Sequence, residues 1–500
     1  MYELIFAKGF LLITTNVVIA QTVPIGLYLL GMGLGVLLQK NKTYSSKSFS
    51  KIELALCALG ILIPFYVYGA SVFLDVFIKA HVENLQMIKF ALFSFLPLSI
   101  GVLTGREFML LVNKEEDQNV NVNMVLAATY FGNLMGGLAF PLFLYEPLGL
   151  VGCCVLVASL NMLVAFALVL KAPTFKKLTS LVILSLALSV LAVNQKSFSE
   201  KLKSASYVDI STPDFNFETF SNLWSFFKKE APFVESYRSK YQDVDLVDFG
   251  VEGVTLYLNR KPQFSTTNYI SYHLSMVEGF INLHGAVPKE VLLLGGGDGI
   301  LARYLLERGV DKIKIIDLDP FITDLAKNHP VFLKLNKQSL WSPKVEVVNG
   351  DAFSYMIKNK RPHEAIFIDF PLPTHMDLSK LYSVEFYRSI YASLQTDGSA
   401  IFDSPANVEF SFQPQKMKSQ SLNLIEKTVE SAGITNSIIY GPFEAFNFFT
   451  RQKAPVSFKY KKFPPQMPGY VFMNMISFDS FMEIKPSDKE NSIFRPVRYR

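Results

Sequence analysis

Apolar residues follow two regimes along this chain. Up to about Asn194 they form long runs, roughly 18–38, 52–74, 87–105, 122–145, 148–170 and 178–194. Each run approaches the ~20 residues that an α-helix needs to cross a bilayer core. The pattern predicts an N-terminal α-helical transmembrane bundle of about six spans over 1–194. The stretch 4–20 is ambiguous, because Lys8 and Thr14-Thr15-Asn16 interrupt it. Residues 195–240 are polar with scattered aromatics, including Trp224, Phe226 and Phe227. They read as a linker that holds an interfacial helix. Residues 245–265 alternate apolar and polar positions, with a turn at Asn259-Arg260-Lys261, as in a pair of strands. From 288 the pattern becomes strand–helix–strand, which implies a parallel sheet and a Rossmann-like α/β domain over 288–500.

Composition sharpens this division. Five hundred residues exceed what one core organises. Mean hydropathy is positive and only 18% of residues are charged. The net charge of +5 is modest, and no Lys/Arg cluster is interleaved with aromatics, so nucleic acid is not an expected partner. Cys57, Cys153 and Cys154 all lie in apolar runs, so neither a disulfide framework nor a Cys/His metal site is expected. Gly26, Gly31, Gly33, Gly35, Gly132, Gly136 and Gly137 fit close helix packing in lipid. Arg106 and Glu107, at the end of the third run, are expected to reach for the membrane surface. A cleavable leader is not expected, for want of a basic segment before the first apolar run.

The densest chemistry lies in Val291–Asp319, VLLLGGGDGILARYLLERGVDKIKIIDLD. This is a strand, a glycine loop, a helix and a second strand ending in acids. Gly295, Gly296 and Gly297 allow the backbone to pass close to a ligand. Asp317 falls about 20 residues beyond the loop, where an acid can accept both ribose hydroxyls of a nucleotide. Gly350-Asp351 follows the strand VEVV and Asp369 follows AIFI, so both fall where ligands bind such sheets.

The motifs Tyr241-Gln242, Tyr272-His273, GGGDG, IIDLD, Gly350-Asp351 and the IDFPLPT turn around Asp369 occur in this order. Together they resemble the spermidine synthase (polyamine aminopropyltransferase) family from about Tyr241 to Pro405. FPLPT followed by KLYSVEFY is closest to its membrane-anchored bacterial branch. That branch carries a further helix before its YELL-type segment, whereas this chain starts at Tyr2-Glu3-Leu4-Ile5. The resemblance implies a small β-domain over 241–287 ahead of the catalytic domain. It implies aminopropyl transfer from decarboxylated S-adenosylmethionine to an amine, with methylthioadenosine released and no prosthetic group or metal. Asp369 matches the proton acceptor. Asp298 matches the acid that holds the donor's aminopropyl ammonium, where the carboxylate of intact S-adenosylmethionine would be repelled. Asp351 with Ala352 matches the adenine site, and Gln242 and His273 match pocket positions that contact donor or acceptor. The partners implied are a sulfonium donor, an amine acceptor and membrane lipid, with a homodimer as the candidate assembly.

Several family acids are absent. An Asp-Glu pair is here Asn268-Tyr269, a Glu after Tyr-His is Leu274, and the second Asp of the DFPDPT-type turn is Leu372. A Gly-Glu-Trp-Gly-type segment is replaced by Phe443-Glu444-Ala445-Phe446-Asn447. The acceptor side therefore reads as apolar, which favours putrescine less and a more apolar amine more. A methyltransferase or lyase acting on S-adenosylmethionine is a second reading, and a non-catalytic membrane sensor or scaffold a third. Lys40, Lys42, Lys47 and Lys51, and Lys171, Lys176 and Lys177, mark two loops as cytoplasmic. If 178–194 crosses, the catalytic domain lies outside; if it re-enters, the domain stays inside. Supply of the donor favours the cytoplasmic face of the inner membrane.

Overall fold

The computed structural model describes residues 1–11, 17–39, 45–77, 85–112, 122–171, 173–207, 232–358, 361–371, 373, 376–404, 420–441, 445–457 and 490–493. Lys40, Lys42, Trp224, Phe226, Phe227, Leu372, Phe443 and Glu444 lie outside these residues. The chain forms two compact units. The first is Met1–Arg238, Gln242–Gly250 and Tyr257–Arg260. The second is Ser239–Tyr241, Val251–Leu256 and Lys261–Arg500.

The first unit is built on helices α1 (Tyr2–Phe10), α2 (Val17–Gln39), α3 (Ser46–Phe77), α4 (Leu85–Val112), α5 (Val122–Ala139), α6 (Tyr145–Lys171), α7 (Phe175–Val193) and α8 (Gln195–Ser206). Five helical runs are long and apolar enough to cross a membrane: Val18–Gln39, Ser46–Ala70, Ala91–Val112, Val122–Lys171 and Phe175–Val193. The fourth has 50 residues, about 75 Å if straight, far longer than a bilayer core. It is broken at Gly149, where φ is 65° and ψ is −173°. The expected spans 122–145 and 148–170 are its two arms. Arg238 occupies the space that a Cβ on Gly149 would need, and its Nη1 donates to the carbonyl of Glu146 at 3.0 Å. One side chain thus satisfies backbone that the break exposes.

Of the seven glycines expected to mediate close packing, Gly31 and Gly35 on α2 press against the backbone of α4, facing Gly101 and Gly105. Gly26, Gly33, Gly132 and Gly137 have open space around them. Glu107 departs from the expectation that it reaches for the surface. It hydrogen-bonds Glu53, which is buried, while Arg106 Nε donates to Gln39 Oε1 at 3.3 Å.

Strands β1 (Phe233–Arg238), β2 (Asp243–Asp248), β3 (Val254–Leu258) and β4 (Lys261–Ser265) form a sheet in sequence order. This sheet starts at Phe233, inside the expected linker. Lys203 of α8 reaches Asp245 of β2 at 2.7 Å, and Tyr207 Oη and Ser236 Oγ donate to the same carboxylate. This buried acid is therefore paired and saturated with donors, as burial of a charge requires.

In the second unit α9 (Tyr269–His284) precedes β5 (Glu290–Gly295), α10 (Ile300–Glu307), β6 (Lys312–Asp317), α11 (Pro320–Asn328), α12 (Pro330–Asn336), β7 (Val345–Asn349), α13 (Ala352–Lys358), β8 (His363–Asp369), α14 (Val384–Ala392), β9 (Leu394–Asp403), α15 (Gln420–Ser431), β10 (Ser437–Tyr440) and β11 (Phe446–Thr450). The seven strands order as β10-β11-β9-β8-β5-β6-β7. β5 pairs in parallel with both β6 and β8, so the chain winds away from it in two directions. The carboxyl ends of β5 and β8 therefore flank a switch point, the usual ligand crevice of such sheets. Leu292, Leu294, Ile366, Ile368, Ala400 and Phe402 bury one face of the sheet against α14 and α15. The parallel strands are almost continuously apolar for this reason. β9, β11 and β10 form an antiparallel edge.

Candidate active site

Four neighbouring strand ends each present an acid to the crevice. β8 ends in Asp369, β5 leads into the glycine loop with Asp298, β6 ends in Asp317, and β7 is followed by Asp351. Strands lie ~4.8 Å apart, so the array spans about 14 Å.

The glycine loop is shaped by what lies against it. Gly295 has φ of +80°, and a Cβ there would strike the carbonyl of Asp369. A Cβ on Gly297 would sit 2.6 Å from Asp317 Cγ. The Gly297 N–H donates to Asp317 Oδ2 at 3.0 Å, and the Asp319 N–H donates to Oδ1 at 3.0 Å. Asp298 Oδ1 accepts from the Ile300 N–H at 2.8 Å, and Asn336 Nδ2 holds the Asp298 carbonyl at 2.9 Å. Burial pushes both carboxyls up to about 6. For Asp298 the nearby His273 opposes this and the charge of Asp369 adds to it. For Asp317 the two N–H donors oppose it.

His273 and Tyr272 arrive from α9. The His273 Nδ1 lies 2.7 Å from the carbonyl of Tyr269. A carbonyl only accepts, so Nδ1 carries the proton and Nε2 is left for the crevice. His273, Asp298 and Asp369 converge, with one ligand atom from each lying within 4.8 Å of the others. Among the described residues this is the group able to hold a cation. Tyr272 Oη donates to Asp369 Oδ1 at 2.9 Å. Burial first, then the charges of Asp369 and Asp403, push the Tyr272 phenol well above its ordinary value, so it stays protonated and fixes the carboxylate.

Asp351 sits at the far end of the array. Its Oδ1 accepts from the Phe353 N–H at 3.0 Å, and its Oδ2 from Ser354 Oγ at 3.2 Å and Lys380 Nζ at 2.9 Å. Burial alone would raise this carboxyl, but the Lys380 ammonium, the Phe353 N–H and Ser354 Oγ together hold it below its usual range. Ala352 is buried at the start of α13.

The structure thus gathers Gly295, Gly296, Gly297, Asp298, Asp317, Asp351, Ala352, His273 and Asp369 along one crevice edge. Gln242 belongs to the first unit, immediately before β2. Two contributors were missed in the sequence. Tyr272 was singled out only as half of a motif, and its bond to Asp369 depends on how α9 meets β8. Asp403 follows the last paired residues of β8 and β9, Ile368 and Phe402. Alternation places its side chain on the Asp369 face of the sheet, and its charge acts on Tyr272. A second carboxylate therefore lies on the same face of the sheet as Asp369, close enough to act on Tyr272. Asn268 and Tyr269, in the positions of absent acids, serve locally: Asn268 Oδ1 accepts from the Ser265 N–H at 3.0 Å, and the Tyr269 carbonyl orients His273.

Residues 271–432 match the family described as the spermine/spermidine synthase domain. The chain is 30% identical over 396 residues to a polyamine aminopropyltransferase of Oceanobacillus iheyensis, covering 77% of this chain and 71% of the relative. It is 29% identical over 429 residues to polyamine aminopropyltransferase 1 of Streptomyces coelicolor, covering 84% and 74%. It is 28% identical over 471 residues to a polyamine aminopropyltransferase of Leptospira interrogans, covering 91% and 84%. The similarity therefore extends well into the helical unit, beyond the stretch from Tyr241 to Pro405 in which the motifs lie.

Proposed function

Since this chain belongs to the polyamine aminopropyltransferase family of transferases, we propose that it is a membrane-embedded enzyme moving an aminopropyl group from decarboxylated S-adenosylmethionine to a diamine such as putrescine. The observation that carries this reading is the row of acids across β8, β5, β6 and β7. The donor is an extended molecule with a base at one end, a ribose, a sulfonium and an ammonium tail. Asp351 and Ala352 take the base, Asp317 the ribose hydroxyls, and Asp298 with His273 the ammonium. The sulfonium carbon then lies near Asp369.

The acceptor amine arrives as an ammonium, since its ordinary pKa is close to that of lysine, about 10.4. Asp369, oriented by Tyr272, takes one proton. The freed lone pair forms the C–N bond as the C–S bond breaks, and the electron pair stays on the sulfur of neutral methylthioadenosine. Asp403 offers a second anionic contact for the acceptor's charge, which supports a diamine over the more apolar amine suggested by Leu274 and Leu372. Asp298 speaks against intact S-adenosylmethionine as donor, because its carboxylate would meet a buried acid.

The five apolar helical runs support a multi-pass location in the cell membrane. The test is mass spectrometry of products after the full chain is incubated with each sulfonium compound and a panel of amines. An aminopropylated diamine together with methylthioadenosine is expected. A methylated product, or no product while methylthioadenosine still binds, would overturn the reading.

A further inference from the structure

The segment Lys380–Ser383 is pinned at several points. Asn491 Nδ2 donates to the carbonyls of Ser379 and Tyr382, both at 2.8 Å. Ser383 Oγ donates to the Lys380 carbonyl at 2.7 Å. Tyr382 Oη lies 3.3 Å from the carbonyls of Phe370 and Pro371, the turn that follows Asp369. From this anchored base the Lys380 side chain crosses the Phe353 ring, its Nζ 5.6 Å from the centroid, and ends 2.9 Å from Asp351 Oδ2. Nothing in the chemistry proposed above uses this lysine.

We infer that Lys380 is a positioning residue that sets nucleobase specificity: by pairing with Asp351 it aims that carboxylate at the base, so the site accepts a 6-amino purine and rejects a 6-oxo purine. The inference rests on the aminopropyltransferase reading, which puts the base of the donor at Asp351. An ionised carboxylate only accepts hydrogen bonds. It pairs with the exocyclic amino group of adenine and faces the oxygen of a 6-oxo purine acceptor to acceptor, an unpaired contact that costs binding. A protonated carboxyl carries a donor and tolerates either base. Asp351 is partly buried, and burial favours the protonated form. Lys380, the Phe353 N–H and Ser354 Oγ together oppose this, and Lys380 is the charged partner among them. The fixed backbone of Lys380–Ser383 and the Phe353 ring set the base from which this half-exposed ammonium reaches Asp351.

The experiment is calorimetric binding of methylthioadenosine and methylthioinosine to the full chain, from pH 5 to pH 8, in wild type, Lys380→Met and Lys380→Arg. Wild type should prefer the adenine compound at least tenfold at every pH. Lys380→Met should weaken methylthioadenosine about tenfold, bring the two compounds towards parity, and leave kcat at saturating donor largely unchanged. Lys380→Arg should restore the preference, which also rules out a folding defect at this position. Unchanged affinity and base preference in a folded Lys380→Met protein would overturn the role of Lys380 and leave the aminopropyltransferase reading standing. Failure of wild type to bind methylthioadenosine at all would overturn both.

Discussion

Asp369 and Tyr272 make one hydrogen-bonded pair, and because 97 residues separate them in sequence, only the strand-end acid is legible there. A carboxylate at the end of a strand can simply cap the next turn. Here Tyr272 donates its hydroxyl to one oxygen of Asp369 in a part-buried setting, and on the proposed reading the other oxygen meets the incoming ammonium. Asp369→Asn preserves shape and the bond to Tyr272 but removes the base. Calorimetry should show methylthioadenosine binding retained, while turnover falls by roughly the 10²–10⁴ that general-base loss costs. Equal turnover would reduce Asp369 to a cap. A second expectation follows from burial of Asp298, whose carboxyl is pushed up to about 6. The donor's ammonium needs the ionised form, so affinity is retained above that value and is lost as pH falls through it. Methylthioadenosine has no ammonium and serves as the control. The affinity ratio of decarboxylated S-adenosylmethionine to methylthioadenosine should rise between pH 5 and pH 7, and should be flat in Asp298→Asn.

At the level of elements, the glycine loop was legible because strand, loop and helix are contiguous and each follows local rules. Its dependence on Asp317 was legible only as spacing. The structure adds that Gly297 and the Asp317 carboxylate share one space, so Gly297→Ala must displace the carboxylate. Overpacking of this kind costs about 1–3 kcal/mol of stability, whereas methylthioadenosine affinity should fall at least tenfold through the loss of aligned ribose acceptors. A melting curve and a binding isotherm on the same protein separate the two effects. Comparable affinity in a folded variant would show that the loop adapts. Asp403 and Lys380 were not legible because their meaning is non-local. Asp403 becomes a neighbour of Tyr272 only when β9 lies beside β8, and Lys380 meets Asp351 only because the segment before α14 folds back to the end of β7. Departures from a family motif can be read in sequence, but compensation for them depends on pairing and packing.

For the whole molecule the decisive element is α7. The charge pattern and the need for donor point in opposite directions, and under the charge rule a cytoplasmic domain requires 178–194 to re-enter. The helix Phe175–Val193 is continuous, with 19 residues, about 28 Å long, close to the thickness of a bilayer core. Two contacts within the first unit show which end is which. Lys177, at the start of α7, lies within electrostatic reach of Lys47 and Lys51 at the start of α3. Arg238 of the β1–β2 hairpin grips the Glu146 carbonyl at the start of α6. α6 carries the chain from the hairpin end to the lysine end, and α7 carries it back. A crossing α7 therefore places Leu170 and Lys203 on opposite faces of the membrane. Reporter fusions after these two residues should give opposite signals, and equal signals would mean that α7 does not cross. If donor supply decides and the Lys203 fusion reports from the cytoplasm, the lysine-bearing loops are an exception to the positive-inside tendency. If the Lys203 fusion instead reports from outside, the charge rule holds. The aminopropyltransferase reading would then require a source of decarboxylated S-adenosylmethionine beyond the membrane.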